Sequence, residues 1–187
     1  MLYQTHARIH LDHIRFNLEG IRQAVGQERK ILIAVKANGY GHGAVEVSRL
    51  AERIGIDWLG VATVPEGLQL RQAGLQLPIL KFSPAFLEEI VAAVQNGLTL
   101  AVASRENVDA LEATCYTGEL EATVHLKVDT GMGRIGVTPE EAPTLAAQIE
   151  HNCPHLHLQG VFTHFPVSDK ADPSYTLGQI ERFKATV

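Results

Sequence analysis

Three short segments carry side chains whose types and spacing suit chemistry. In the first, Ile31-Leu-Ile-Ala-Val-Lys-Ala-Asn-Gly-Tyr-Gly-His-Gly43, an apolar run delivers Lys36 into a glycine-rich turn. A lysine ending a buried strand is placed for desolvation, which disfavours the charged form and frees the amine as nucleophile or base. The ordinary fate of such a lysine is to snorkel into water. Gly39, Gly41 and Gly43 permit close backbone approach, but a glycine-rich loop after a strand is by itself a weak sign of a phosphate cradle. The second segment, Val124-His-Leu-Lys-Val-Asp-Thr-Gly-Met-Gly-Arg-Ile-Gly136, again opens a strand into a glycine-rich loop. Its Arg134 offers a planar donor fork for a carboxylate, the group an amino acid presents, with a surface salt bridge as the plainer alternative. The third, Gly160-Val-Phe-Thr-His-Phe165, ends a strand with His164, either a satisfied core histidine or a group facing the ring of a bound ligand.

The elements that must position these residues follow from periodicity. Short β-branched or apolar runs alternate with helical patterns, the signature of βα units building a parallel sheet. After a first helix over 12–25, strands are expected at 31–35, 58–62, 79–82, 99–102, 123–128 and 158–163. Helices are expected at 44–54, 65–73, 84–95, 105–115, 139–150 and 175–186, with Pro65, Pro84 and Pro139 in first turns. Gly55, Gly74 and Gly97 stand where helices should stop. Lys36, Asp129, Arg134 and His164 all fall at or just beyond strand C-terminal ends, where both open α/β sheets and barrels keep their sites. Because they come from strands one, five and six, a barrel is the easier geometry. The expected fold class is α/β, a (β/α)8 TIM-type barrel truncated to about six βα units.

Composition sets the outer bounds. The chain has 187 residues, enough for one domain with a sizeable core but short for a complete eight-stranded barrel. It is 45% hydrophobic and 20% charged, which favours neither disorder nor a fibre. Sixteen Lys and Arg against twenty-one Asp and Glu give a net charge of −5 without long runs, so nothing attracts nucleic acid. No stretch approaches transmembrane length and the N-terminus lacks a signal peptide's apolar run, so a cytoplasmic protein with no membrane partner is expected. Cys115 and Cys153, without C-x-x-C spacing, read as reduced buried thiols. His151, Cys153, His155 and His157 are close in sequence, but Pro154 interrupts them, and packing or surface roles are the reading; no metal is expected.

Taken together, AVKANGYGHG, HLKVDTGMGRIG and GVFTHF, in this order and separation, closely resemble the bacterial alanine racemases. Further similarity lies in residues 9–18 and 61–71, so the resemblance covers essentially the whole chain. It departs at Gly39, where many members carry alanine, and at residues 81–84, where a more apolar stretch would be expected, a departure able to alter the pocket floor. The resemblance implies a pyridoxal 5'-phosphate enzyme on a barrel followed by a β-rich domain, working as a homodimer and supplying D-alanine for peptidoglycan. On this resemblance, residues 1–187 are the N-terminal part of that barrel.

The family's roles carry over by position. Lys36 matches the lysine that forms the Schiff base and exchanges the α-proton on the D-alanine side. Tyr40 matches the tyrosine that hydrogen-bonds the cofactor phosphate. Arg134 matches the arginine near the cofactor's phenolic oxygen and the substrate carboxylate, and His164 the histidine beside the pyridine ring. Lys127 matches a position carbamylated in members of the family; as a carbamate it becomes an anion able to orient Arg134, where an ammonium would repel it. The family's second base, a tyrosine from the partner subunit's later domain, has no match here, so the 187 residues alone are expected to be inactive. The alternatives are a non-catalytic pyridoxal-phosphate-binding barrel, a racemase acting on serine or another amino acid, and a structural or oligomerisation fragment without ligand.

Overall fold

The apolar runs form strands and the mixed stretches between them form helices, as the alternation requires. A computed structural model describes residues 5–186. By its contacts the chain divides between Ile79 and Leu80 into two units. Strand order follows the chain, β1 to β6, without the reversal that a doubly wound sheet shows at its switch point.

The first unit holds α1 (Leu11–Val25), β1 (Leu32–Ala34), a single turn α2 (Lys36–Tyr40), α3 (Ala44–Arg53), β2 (Trp58–Val61) and α4 (Val64–Gln72), and reaches the start of β3 (Ile79–Lys81). β1 and β2 are parallel, with Leu32 opposite Trp58 and Ala34 opposite Gly60. Leu50 and Ala51 of α3 are buried, as are Leu59, Val61, Leu70 and Ile79, each large side chain contributing roughly 1.5–3 kcal/mol. Asp57 fixes the start of the sheet: one of its oxygens accepts from Ile31 N at 2.7 Å and from Arg22 of α1 at 2.6 Å. The Ile31 backbone bond and the Arg22 guanidinium hold this carboxyl below its ordinary value against the opposing effect of burial.

The second unit runs through a 3-10 turn (Leu87–Glu89), α5 (Ile90–Gln95), β4 (Leu98–Val102), α6 (Arg105–Gly118), β5 (Ala122–Lys127), α7 (Ala142–Asn152), β6 (Leu156–Phe162) and α8 (Ser174–Lys184). β4 and β5 are parallel, as are β5 and β6. Its core is built by Leu100 and Val102 of β4, Val108 and Leu111 of α6, Val124 and Leu126 of β5 and Ile149 of α7.

Two helix starts differ from expectation. The helix expected at 84 begins at Leu87 as a 3-10 turn, because buried Lys81 donates to the carbonyls of Ser83 and Pro84 at 3.0 and 2.8 Å and holds them in a loop. The departure at 81–84 therefore turns its amine into its own loop. The helix expected at 139 begins at Ala142, with Pro143 in its first turn. Thr138 and Glu141 bond each other reciprocally and make residues 138–141 a separate turn.

Candidate active site

In the first unit, β1 ends at Ala34 and the buried Val35 carries the chain into Lys36, which is half-buried. The residues after it wind left-handed: Ala37, Asn38, Gly39 and Tyr40 have φ between 51° and 62°, and Gly41 follows at 84°. L-residues adopt this region at a cost of roughly 1–2 kcal/mol each, so the turn persists only where its surroundings over-determine it. Several contacts do so. Asn38 Oδ1 accepts from Ala44 N at 3.0 Å, capping an N–H at the start of α3. His42 Nδ1 donates to Gly39 O at 3.0 Å, and Glu66 accepts from Ala37 N at 2.7 Å. A Cβ on Gly39 would stand 3.3 Å from Ala44 N, so the close approach this glycine allows is to the first turn of α3. The turn leaves Tyr40 60% exposed, with Lys36 four residues before it on the same turn.

In the second unit, β5 delivers Lys127, only 4% exposed, whose amine donates to Val128 O at 3.2 Å and lies 5.1 Å from the centre of the Phe162 ring. Desolvation pushes it down to about 8; the Asp129 carboxylate opposes that shift and the Arg134 guanidinium adds to it. Arg134 is thus close enough for its charge to be felt at Lys127. Asp129 organises the glycine-rich loop that follows. Its Oδ1 accepts from Gly131 N and Met132 N at 2.9 and 2.7 Å, and its Oδ2 from Arg134 N at 2.8 Å. Burial works to raise the Asp129 carboxyl, and these backbone bonds outweigh it and leave it below the ordinary value.

Gly136 closes this loop. Val137 N donates to Lys127 O and Asp129 N to Val137 O, so the chain returns directly against β5, and a Cβ on Gly136 would stand 2.6 Å from Asp129 N. Thr130 and Thr163 hydroxyls bond at 2.8 Å, joining the loop to the end of β6 beside His164. The side chains of Arg134 and His164 are both exposed.

Sequence reasoning missed the residues of α8 that hold this loop. Gln179 is fully buried and donates to Thr130 Oγ1 at 3.2 Å and His164 O at 3.3 Å. Arg182 Nε donates to Thr130 O at 2.7 Å, and the Tyr175 hydroxyl donates to Gly131 O. Nothing in the sequence flags them beyond their four- and three-residue spacing on one helix face. Away from this loop, Cys115 and Cys153 are buried free thiols, and His155 pairs with Glu112 at 2.7 Å. Among the described residues no three His, Cys, Asp or Glu side chains gather as metal ligands. No helix of the described residues is long and apolar enough to cross a membrane.

Each unit therefore offers its own donors: an amine and a phenol on one turn in the first, and a guanidinium, a buried amine and an imidazole at strand ends in the second. Comparison with known proteins finds that residues 9–187 match the family described as alanine racemase, N-terminal domain. Alanine racemase of Desulforamulus reducens is 44% identical over 179 residues, covering 95% of this chain and 48% of that protein. That of Cutibacterium acnes is 43% identical over 185 residues, covering 98% of this chain and 49% of that protein. Among solved structures, alanine racemase of Clostridium difficile 630 in complex with cycloserine superposes with a TM-score of 0.93 at 36% identity, covering 100% of this chain and 51% of that one. Alanine racemase from Bacillus anthracis with bound L-Ala-P gives a TM-score of 0.86 at 35% identity, covering 93% and 45%. The fold is of the α/β TIM-barrel type, and the chain spans about half the length of the relatives it matches.

Proposed function

Since this chain belongs to the alanine racemase N-terminal domain family, we propose that the full-length protein carrying it interconverts L- and D-alanine with pyridoxal 5'-phosphate held on Lys36. The observation that carries the reading is the left-handed turn, which sets a half-buried amine at the end of β1 and a phenol four residues later. The residues fit the group by their chemistry: an amine for an aldehyde, a hydroxyl for a phosphate, a guanidinium for a phenolate or carboxylate, and an imidazole for a ring.

When bound, pyridoxal phosphate supplies an electron sink for the charge left on an amino acid's α-carbon as its proton leaves. The Lys36 amine would hold the group and move that proton on one face. The Tyr40 hydroxyl would donate to the phosphate, the His164 imidazole would face the ring, and Arg134 would offer its two-pronged fork to the substrate carboxylate. Lys127 reacts as a neutral amine with carbon dioxide: an N–C bond forms, a proton leaves to water, and the resulting carbamate orients Arg134. Its burial and its value of about 8 support this role, because they keep part of the amine unprotonated near neutral pH. On the same reading the protein is a cytoplasmic homodimer that supplies D-alanine for peptidoglycan, and a base on the opposite face lies outside these residues.

The test is D-alanine formation from L-alanine by the full-length protein with saturating cofactor, beside its Lys36→Ala variant. Turnover in the first, reduced at least about 10³-fold in the second, is expected, since Lys36 both holds the group and moves the proton. Absence of alanine turnover in the intact protein, or a variant within tenfold of it, refutes the proposal.

A further inference from the structure

The left-handed turn after Lys36 is costly, and much of what holds it is local to its own loop. One contact is not. Glu66 lies 29 residues further along the chain, in the first turn of α4, and its Oε1 accepts from Ala37 N at 2.7 Å. Its Oε2 accepts from Ala62 N at 2.8 Å and Thr63 N at 3.1 Å, just past the end of β2. A single carboxylate therefore ties the residue that follows Lys36 to the loop that follows β2, beside the register in which Ala34 faces Gly60. Burial acts to raise this carboxyl, and the backbone bonds from Ala37, Ala62 and Thr63, with the Thr63 hydroxyl, bring it below its ordinary value.

The same carboxylate completes the capping box of α4, in which Thr63 Oγ1 accepts from Glu66 N at 3.4 Å. Of this carboxylate a capping box needs only the bond it accepts from the N-cap backbone. The bond to Ala37 N lies outside that motif. It satisfies the N–H of the residue bonded directly to Lys36, at the first left-handed position of the turn.

We propose that Glu66 is a positioning residue for Lys36: its carboxylate locks the left-handed turn and so sets the direction from which the ε-amine meets an aldehyde. This rests on the reading of Lys36 as the cofactor-bearing lysine. A glutamine at 66 is the same size but has one acceptor oxygen. Placed on Ala62 and Thr63, that oxygen leaves the amide NH2 facing the Ala37 N–H, donor against donor. An aspartate keeps the charge but is one methylene short of spanning both sites.

The test uses the full-length protein and three variants, Glu66→Gln, Glu66→Asp and Thr63→Ala. Thr63→Ala removes the hydroxyl of the cap and leaves the Glu66 carboxylate in place, so it controls for helix capping and general destabilisation. Three quantities are read: the urea midpoint, hydrogen exchange at the Ala37 amide without cofactor, and the rate at which pyridoxal phosphate forms a borohydride-stable adduct mapped to Lys36. Both Glu66 variants should speed Ala37 exchange and slow adduct formation by about tenfold, the scale of one lost hydrogen bond to a charged group. Thr63→Ala should leave both within threefold. Wild-type exchange and adduct rates in both Glu66 variants overturn the proposal, as do equal losses in Thr63→Ala at the same urea midpoint. An adduct mapped to another lysine in the intact protein overturns instead the reading of Lys36, and Ala37 exchange then decides whether Glu66 locks the turn.

Discussion

Lys127 gives the most quantitative consequence of this structure. The residue is 4% exposed, its amine lies against the Phe162 ring within the field of Arg134, and desolvation pushes it down to about 8 from an ordinary 10.5. At pH 7.4 about one amine in five is then neutral, against about one in a thousand for the ordinary lysine, a gain of roughly 250-fold in the form that reacts with carbon dioxide. The same difference has a stability consequence. Between pH 8 and 10.5 the unfolded chain holds a proton on this amine that the folded chain has released, so stability rises with pH across that window. Below pH 8 the unmodified lysine therefore costs the fold about 3 kcal/mol. Carbon-13 spectra of the full-length protein in labelled bicarbonate at pH 8 should show one carbamate resonance that disappears in Lys127→Met. The cofactor-free Lys127→Met protein, kept free of carbon dioxide, should be more stable than its parent at pH 7, and the gain should vanish by pH 10.5. A carbamate signal that survives Lys127→Met, or a Lys127 titration midpoint near 10, overturns this role for Lys127.

Other changes test the loops. Gly136→Ala places a methyl 2.6 Å from Asp129 N at a φ of 133°, and should lower stability by at least about 3 kcal/mol in urea unfolding. Asp129→Asn removes one of the oxygens that gather Gly131, Met132 and Arg134, and should cost about 2–3 kcal/mol at pH 7. Because the Asp129 carboxyl lies below its ordinary 3.8, its contribution is complete above that value and lost as pH falls through the lower folded value. The difference between parent and Asn variant should therefore shrink below pH 4. Gln179→Ala empties a fully buried site and frees Thr130 and His164 O, and should cost about 1–3 kcal/mol and raise hydrogen exchange across residues 130–134.

Much of the fold was legible because burial imposes it. β1 to β6 overlap the apolar runs within one or two residues, and Gly55, Gly74 and Gly97 take the positive φ that ends a helix. The misplaced helix starts arose from side chains acting on backbone: Lys81 holding two carbonyls, and Thr138 with Glu141 forming a turn of their own. The left-handed turn was not legible either. Ala-Asn-Gly-Tyr-Gly has no local preference for five successive positive φ angles, and its stability comes from Asn38, His42 and Glu66. Thr63-Val-Pro-Glu66 does read as a capping box, a signal that could have marked Glu66, though not its second duty at Ala37. Lys36, Arg134 and His164 stood out because strand ends and glycine-rich loops are where an α/β fold places reactive groups, whereas Tyr40 and Lys127 entered only through the resemblance to the racemases. Gln179 and Arg182 did not stand out, since their partners, two backbone carbonyls and the Thr130 hydroxyl, lie some fifteen to fifty residues away.

Lys36 is the residue on which the proposed chemistry depends. The most direct measurement is borohydride reduction of the full-length protein with pyridoxal phosphate, followed by digestion and mass mapping of the modified lysine. An adduct on the peptide containing Lys36 is expected, with loss of the bound-cofactor absorbance in Lys36→Ala. An adduct on Lys30, Lys81 or Lys127, together with an unchanged spectrum in Lys36→Ala, rules out Lys36 as the cofactor-bearing residue.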